Sequence, residues 1–182
     1  MISSHHVPAV NFRLCGRVGT FSAVASIGIV AVNAVLWMVP QWAPLVARGT
    51  ANLQLEPITL APVVRWIALI YTTLYWATLA RGLWIAHVLF RRLSVGLVFE
   101  PETGSLLRRF GWLLVIFSGL TPLVSSATAW LVTEGNPPGQ RLLRLAISDH
   151  EIVLAIVGTL ILTTGSAIAE AARIAEENRQ IV

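Results

Sequence analysis

Three ionisable side chains lie in apolar surroundings, where a charge needs a partner. Arg81 and His87 interrupt the aromatic-rich stretch YWATLARGLWIAHVLFRR, and Glu170 lies near the end of the last apolar stretch. Such groups, if they converge within a membrane, can relay protons or bind an ion. Arg81 and His87 are six residues apart and do not closely share a helix face, which weakens a relay between them. Three alternatives follow for Arg81: it pairs with Glu170, it extends toward lipid headgroups, or it lines a polar cavity with His87. We favour a structural role.

A second polar cluster has the sequence SDHE, from Ser148 to Glu151. Three consecutive polar residues, Asp149, His150 and Glu151, do not share one helix face, which argues against a metal site there. The spacing of Ser148 and Glu151 instead matches a capping box. The Ser148 hydroxyl is expected to accept from the backbone N–H of Glu151, while the Glu151 side chain reaches back to the N–H of Ser148. The cluster therefore predicts the start of a helix.

The composition places the whole chain in the membrane class. Of its 182 residues, 55% are hydrophobic and only 12% are charged. Soluble domains carry about 25% charged residues, roughly twice this share. All thirteen basic residues are arginine and lie mainly at the ends of apolar stretches, which does not suit a nucleic-acid surface. From this distribution of arginines we expect no direct binding of nucleic acid. The single cysteine, Cys15, excludes an intrachain disulfide.

Four apolar stretches are long enough to cross a bilayer, which takes about 20 residues. Pro40 ends the first stretch, and the stretch is too long for the apolar core of a signal peptide. The predicted fold is an all-α, integral-membrane four-helix bundle in a single domain, 1–182. Its helices are expected at about 18–39, 62–90, 110–132 and 149–172.

The arginines predict the orientation, because cytoplasmic flanks are enriched in basic residues. A cytoplasmic N-terminus leaves only Arg48, Arg141 and Arg144 clearly outside, with Arg65 near the outer interface. The reversed topology would place eight arginines outside. Both termini are therefore expected in the cytoplasm. The arginines on the cytoplasmic side are then Arg13, Arg17, Arg91, Arg92, Arg108, Arg109, Arg173 and Arg179.

The outer side is predicted to consist of simple loops and interface anchors. Residues 41–61 hold two prolines and little periodicity, and RLLRLAI at 141–147 suggests a short amphipathic turn at the surface. Trp37, Trp42 and Trp66 are expected at the outer interface, where the indole ring and its N–H are both accommodated. On helix four, Gly165 and Ala169 permit close helix approach, within the chain or in a homo-oligomer.

Two segments on the cytoplasmic side resemble a known family. They are RRLSVGLVFEPETGSLLRRFGWLLVIF, between helices two and three, and the tail AEAARIAEENRQIV. They resemble a family of small bacterial inner-membrane proteins with four helices and no assigned function, often encoded beside a short helix-turn-helix regulator. The resemblance implies membrane-linked control of transcription. The residues that carry it are Gly96, Phe99, Leu107, Arg108, Gly111, Glu176, Glu177 and Asn178.

The same segments have a plainer interpretation that we favour over docking. Charges beside membrane helices usually orient them, and Pro101 with acidic neighbours suits the start of a helix. The tail is amphipathic, either as a solvated helix end or as a surface for a soluble partner. The candidate docking residues are Phe99, Glu100, Glu102, Arg108, Arg109, Glu176 and Glu177.

The motifs point away from enzymes. The chain has no nucleotide-binding loop, no HExxH, no GxSxG and no credible catalytic carboxylate pair. We therefore expect neither catalysis nor a cofactor. The leading hypothesis is a non-enzymatic regulatory or interaction protein of the inner membrane, whose partner is a cytoplasmic helix-turn-helix regulator. The alternatives are a small transporter or channel subunit that uses Arg81, His87 and Glu170, and an accessory subunit of a larger complex.

Overall fold

The structure, a computed structural model, describes residues 12–97, 100–137, 139–143 and 145–180. These residues form helices and connections without a strand, which confirms the all-α class. The helices are α1 (Phe12–Met38), α2 (Ala43–Ala51), α3 (Pro62–Ser94), α4 (Pro101–Thr133) and α5 (Asp149–Gln180).

Four of the helices, α1, α3, α4 and α5, are long and apolar enough to cross a membrane. Each contains nearly all of a predicted stretch but continues into its charged flank. The helical part of the chain is therefore longer than the apolar part. α4 begins where its sequence indicates, with Pro101 in the first turn and Glu102 beside the positive end of the helix dipole.

Helix α2 contradicts the prediction of an irregular outer loop. Its buried stripe consists of Ala43, Ala47 and Ala51, one residue per turn. These small side chains let the short helix pack closely against α4 and α1. Asn52 ends it in the left-handed conformation, φ 52°, which asparagine tolerates better than most residues. A nine-residue helix with a proline in its first turn carries too little periodicity to be recognised from the sequence.

The core under α2 corrects one of the tryptophan predictions. Trp37 is fully buried, whereas Trp42 and Trp66 are about half exposed. The indole of Trp37 packs with Ala43, Ala47 and other apolar residues of this core. Its Nε1 is buried and makes no hydrogen bond with the described residues. Trp37 is thus a packing residue, because α2 covers the end of α1 that was expected to meet the interface.

The long helices form a row in the order α1, α3, α4, α5. Extensive contacts join each helix to the next, and α1 and α5 are not an extensively packed pair in the described part of the chain. Between α1 and α3, the Asn33 amide donates to Thr73 Oγ1 at 3.1 Å. Between α3 and α4, Tyr71 donates to Thr128 Oγ1 at 2.5 Å and Tyr75 bonds Thr121 Oγ1 at 3.0 Å. Polar side chains therefore join neighbouring helices along the row.

Glycines determine how α4 and α5 align. A Cβ at Gly111 would lie 2.6 Å from Leu162 N and 2.7 Å from Gly158 O, and one at Gly165 would lie 2.6 Å from Arg108 N. The predicted close approach at Gly165 is therefore confirmed, and it occurs within one chain. A Cβ at Gly104 would likewise meet Ala169, 2.6 Å from its backbone N. The Gly165 and Ala169 face is thus occupied by α4.

This alignment moves α5 away from its expected level. Ser118, at the middle of α4, donates to the carbonyl oxygen of Glu151 at 2.7 Å. The first turn of α5 therefore lies beside the midpoint of α4, about 22 Å from the Thr133 end at 1.5 Å per residue. We predicted that α5 would begin at the outer end of the bundle. α5 begins at the predicted residue, but its first turn lies half the length of α4 closer to the Pro101 end of α4 than we expected. The reason is that close backbone contact needs glycine opposite glycine.

The connection from α4 to α5 runs through the space that this offset leaves and fills part of it. Asn136 fixes the part of this connection next to α4, since the Asn136 amide accepts from Thr59 Oγ1 at 2.8 Å and donates to Pro57 O at 2.7 Å. The described residues of 141–147 are not helical, so the predicted amphipathic turn is wrong there. The backbone N–H of Leu142 donates to Thr133 Oγ1 at 2.9 Å, and the described residues that follow, up to Ser148, have no regular structure.

Candidate functional site

Arg81 and Glu170 are not brought together. The Glu170 carboxylate accepts from the Arg173 guanidinium at 2.6 and 3.1 Å. Arg81 is exposed, and it forms no ion pair with the described residues. α4 lies between the helices that carry the two residues, so a similar expected depth did not make them neighbours. The structure therefore gives the acid a different partner from the one we predicted.

His87 has a packing role between α1 and α3. Its Nδ1 lies 2.8 Å from the carbonyl oxygen of Gly19. Its ring packs at a tilt on Trp84, with the centroids 5.4 Å apart. Gly19 packs on α3 here, since a Cβ there would lie at ordinary contact distance, 3.4 Å, from His87 O and from Phe90 Cβ. A bond to a fixed backbone carbonyl positions the imidazole in the contact between α1 and α3.

The candidate docking residues that the structure describes gather at one end of the molecule. Arg92 forms ion pairs with Glu100, at 3.4 Å, and with Glu102. Arg108 and Arg109 are exposed on the next turns of α4. Glu177 pairs with Arg173 on α5. Phe99 and the side chain of Glu176 lie outside the described part of the structure. The acidic residues of the loop thus already have intramolecular partners.

A cavity of about 460 Å³ lies where the offset of α5 leaves room. The end of α2 closes it on one side, at Gly49–Asn52, and the start of α5 closes it on the other. α3 and α4 form the remaining walls. The side chains that give it its chemistry are Tyr75, Trp76, Thr121, Ser125, Ser148, His150 and Glu151.

Glu151 is the buried acid of this cavity, with 6% of the residue exposed. Its Oε2 accepts from the backbone N–H and the hydroxyl of Ser148, both at 2.5 Å. His150 Nε2 lies 3.1 Å from Oε1. The predicted reach of Glu151 back to Ser148 is confirmed. The hydroxyl, however, donates to the carboxylate where we expected it to accept from the helix.

Aromatic rings face the acid across the cavity. Tyr75 contacts Trp76 edge to face, with centroids 5.1 Å apart, and stacks on Phe117 at 4.6 Å. The Tyr75 hydroxyl is held by Thr121. A carboxylate, several hydroxyls and two aromatic rings around a space of this size are typical of a small-molecule site.

The sequence contains all these groups but not their convergence. Glu151 was interpreted only as a helix cap, because α5 was expected to start at the outer surface. The available signal was a run of polar residues within apolar stretches, Tyr75 and Thr121 among them. Within the described residues, no three His, Cys, Asp or Glu side chains are placed to hold a metal ion. No family model, curated protein or solved structure matches this chain.

Proposed function

We propose that this chain is a non-enzymatic, multi-pass protein of the bacterial inner membrane that binds a soluble regulatory protein through its cytoplasmic end. Four helices with the length and composition of membrane spans support the first part. Arginine placement supports the orientation, with both termini in the cytoplasm. The candidate docking residues lie at the end of the molecule that this orientation places in the cytoplasm.

The projection of α5 beyond α4 carries the proposal of a partner. A Cβ at Gly104 would meet Ala169, and α4 begins only three residues before that glycine. From about residue 172 to Gln180, α5 therefore has no α4 beside it, over about 12 Å. Ion pairs from Arg173 to Glu170 and Glu177 stabilise this part, and Ile174 on it is 47% exposed. An ordered helix with an exposed apolar residue among charges suits recognition in a groove.

The resemblance to the four-helix family names the partner in this proposal. It implies a helix-turn-helix regulator, and mixed charges on α5 and on the start of α4 offer partners for such a protein. The transporter alternative loses support, because Glu170 pairs with Arg173 and His87 bonds the Gly19 carbonyl. An accessory role in a larger complex predicts a membrane partner in place of a soluble one.

The orientation can be measured with single cysteines in a Cys15→Ser background. We expect Arg141→Cys to react with a membrane-impermeant maleimide in intact spheroplasts. Asn178→Cys is expected to react only after lysis, because it lies on the cytoplasmic part of α5. Both positions are exposed, so access to the reagent depends on the side of the membrane. The reverse labelling pattern would contradict the orientation and with it the cytoplasmic docking surface.

Docking can be measured by affinity capture of the intact protein in mild detergent, with the candidate regulator supplied in purified form. We expect Ile174→Asp, and separately Glu170→Gln with Glu177→Gln, to reduce capture by about tenfold, as loss of an interface anchor does. Thr163→Ala on the same helix is the matched control, since it is exposed but lies within the apolar stretch. Equal capture by all folded variants would refute α5 as the docking surface.

A further inference from the structure

From the cavity between α2 and α5, we infer a binding site for a small organic cation, an amine or ammonium compound with a short apolar body. The inference does not depend on the proposed regulatory partner, which would bind at the cytoplasmic end of the molecule and not at the cavity. It follows from the charge of the cavity, from its walls and from its depth.

The charge of the lining favours cations. Glu151 is the carboxylate, and no arginine is among the described lining residues. Its negative charge is held in place by Ser148. The carboxyl end of α2 also borders the cavity through Gly49–Asn52, and the dipole of a helix is negative at that end. Arg48, in the last turn of α2, is not a lining residue, and its guanidinium donates to the carbonyl oxygens of Gln54 and Glu56. The opposing positive end of α5 is offset by Glu151 itself, which lies in its first turn. An anionic ligand would find no arginine among the described lining residues, and the His150 imidazole there already lies 3.1 Å from Glu151 Oε1.

The walls favour a cation with an apolar body. Trp76 and Tyr75 present aromatic surface, and the face of such a ring attracts an ammonium group. Hydroxyls of Thr121 and Ser125 line the same wall of α4 and provide further acceptors. A volume of about 460 Å³ lies in the range of small-molecule pockets. It has room for an amine with one ring or a short chain.

The depth of the cavity indicates a role for Glu151 in addition to capping α5. Glu151 lies beside Ser118, at the middle of α4. In a chain that crosses a membrane, an ionisable residue at this level is costly and usually serves a site. Irregular backbone at such depth is tolerated where it is buried in protein or lines a polar cavity. The chain that enters α5 through Ala146 and Ser148 borders this cavity.

The test uses the full chain in nanodiscs of phosphatidylglycerol, which carries no amine. Biosynthetic 5-fluorotryptophan provides a ¹⁹F signal for each indole, and the signal that is lost in Trp76→Phe belongs to Trp76. Three probes of similar shape are titrated: benzylamine, benzyl alcohol and benzoate. We expect benzylamine to shift the Trp76 signal saturably, and the neutral and anionic probes to leave it in place.

Two variants and a control assign the effect to the cavity. Glu151→Gln keeps an acceptor for Ser148 but removes the charge, and we expect benzylamine to bind about tenfold more weakly or worse. Ser125→Phe fills the space from α4 and should abolish the shift without changing the charge. Glu134→Gln removes an exposed acid outside the cavity lining and should leave binding unchanged.

Each outcome decides the proposal. Equal shifts with all three probes would show mere partitioning into the protein–lipid boundary and would overturn it, as would unchanged benzylamine binding in folded Glu151→Gln. If that variant does not fold, Ser125→Phe decides, since retained binding refutes the site. Addition of phosphatidylethanolamine distinguishes the sources of the amine: weaker benzylamine binding identifies a lipid headgroup as the natural occupant, and unchanged binding identifies a soluble amine.

Discussion

Replacement of Gly111 with alanine is expected to destabilise the protein by about 1–3 kcal/mol, the usual cost of overpacking a close contact. The new methyl group would lie 2.6 Å from Leu162 N and 2.7 Å from Gly158 O. Both are backbone atoms, which cannot rotate away as a flexible side chain can. α5 would have to move as a whole, and the contacts between α4 and α5 would loosen together.

Gly119 provides the matched control on the same helix. A Cβ there would meet no atom within 4 Å, so Gly119→Ala should change stability only through helix propensity, by at most about 1 kcal/mol in its favour. Both variants are compared by equilibrium unfolding in mixed detergent micelles, which reports the free energy of unfolding. Equal stabilities for the two variants would mean that α4 and α5 are not in backbone contact at Gly111.

The existence of the four long helices was readable from the sequence because local features determine it, whereas the short helix α2 was not. Four apolar stretches of sufficient length predicted four long helices, and the residues that begin α4 and α5 were recognisable at Pro101 and Ser148. These signals need no knowledge of a neighbouring helix. The predicted ends were less accurate, since a helix continues beyond its apolar part wherever charged residues such as Arg173 and Glu177 can pair along it.

The level of α5 could not be read in this way, because it is a property of two helices together. Apolar length alone places every helix across the same layer, with its charged ends outside. Glycine pairs of equal spacing, Gly104 with Gly111 and Gly158 with Gly165, favour another alignment, in which backbones touch. The same offset creates the cavity, so the cavity was equally hidden. From the sequence of α5 alone, Glu151 can be recognised only as a helix cap.

Arg81 is a second case in which the position of a residue along its helix did not reveal its neighbours. Its proposed pairing with Glu170 relied on similar depth, and depth says nothing of the order of helices in the row. Because α4 separates α3 from α5, the two charges lie apart and Glu170 pairs within its own helix. Extension of the Arg81 side chain toward headgroups remains a prediction, and it is the alternative consistent with its exposure.

A disulfide between Leu114→Cys and Gly158→Cys is expected to form nearly completely, in a Cys15→Ser background. A Cβ at Gly158 would lie 3.0 Å from Leu114 Cβ, and a small outward shift brings the pair to the 3.5–4.5 Å that a disulfide needs. If α5 instead began at the outer end of the bundle, as the apolar lengths predict, Leu114 would lie near Ala169. In the structure these two residues are about 15 Å apart along the axis, so Leu114→Cys with Ala169→Cys should not be linked.

The pair Gly19→Cys with Phe90→Cys calibrates the experiment between α1 and α3, since a Cβ at Gly19 would lie 3.4 Å from Phe90 Cβ. Mild oxidation in membranes, followed by protease cleavage in the connection at 134–148 and electrophoresis, measures the link between α4 and α5. A link at Ala169 with none at Gly158 would return α5 to the outer level and remove the cavity. A link at Gly158 alone would show that glycine contacts, and not the matching of apolar lengths, determine how this chain is assembled. It would also place the buried carboxylate of Glu151 halfway along α4.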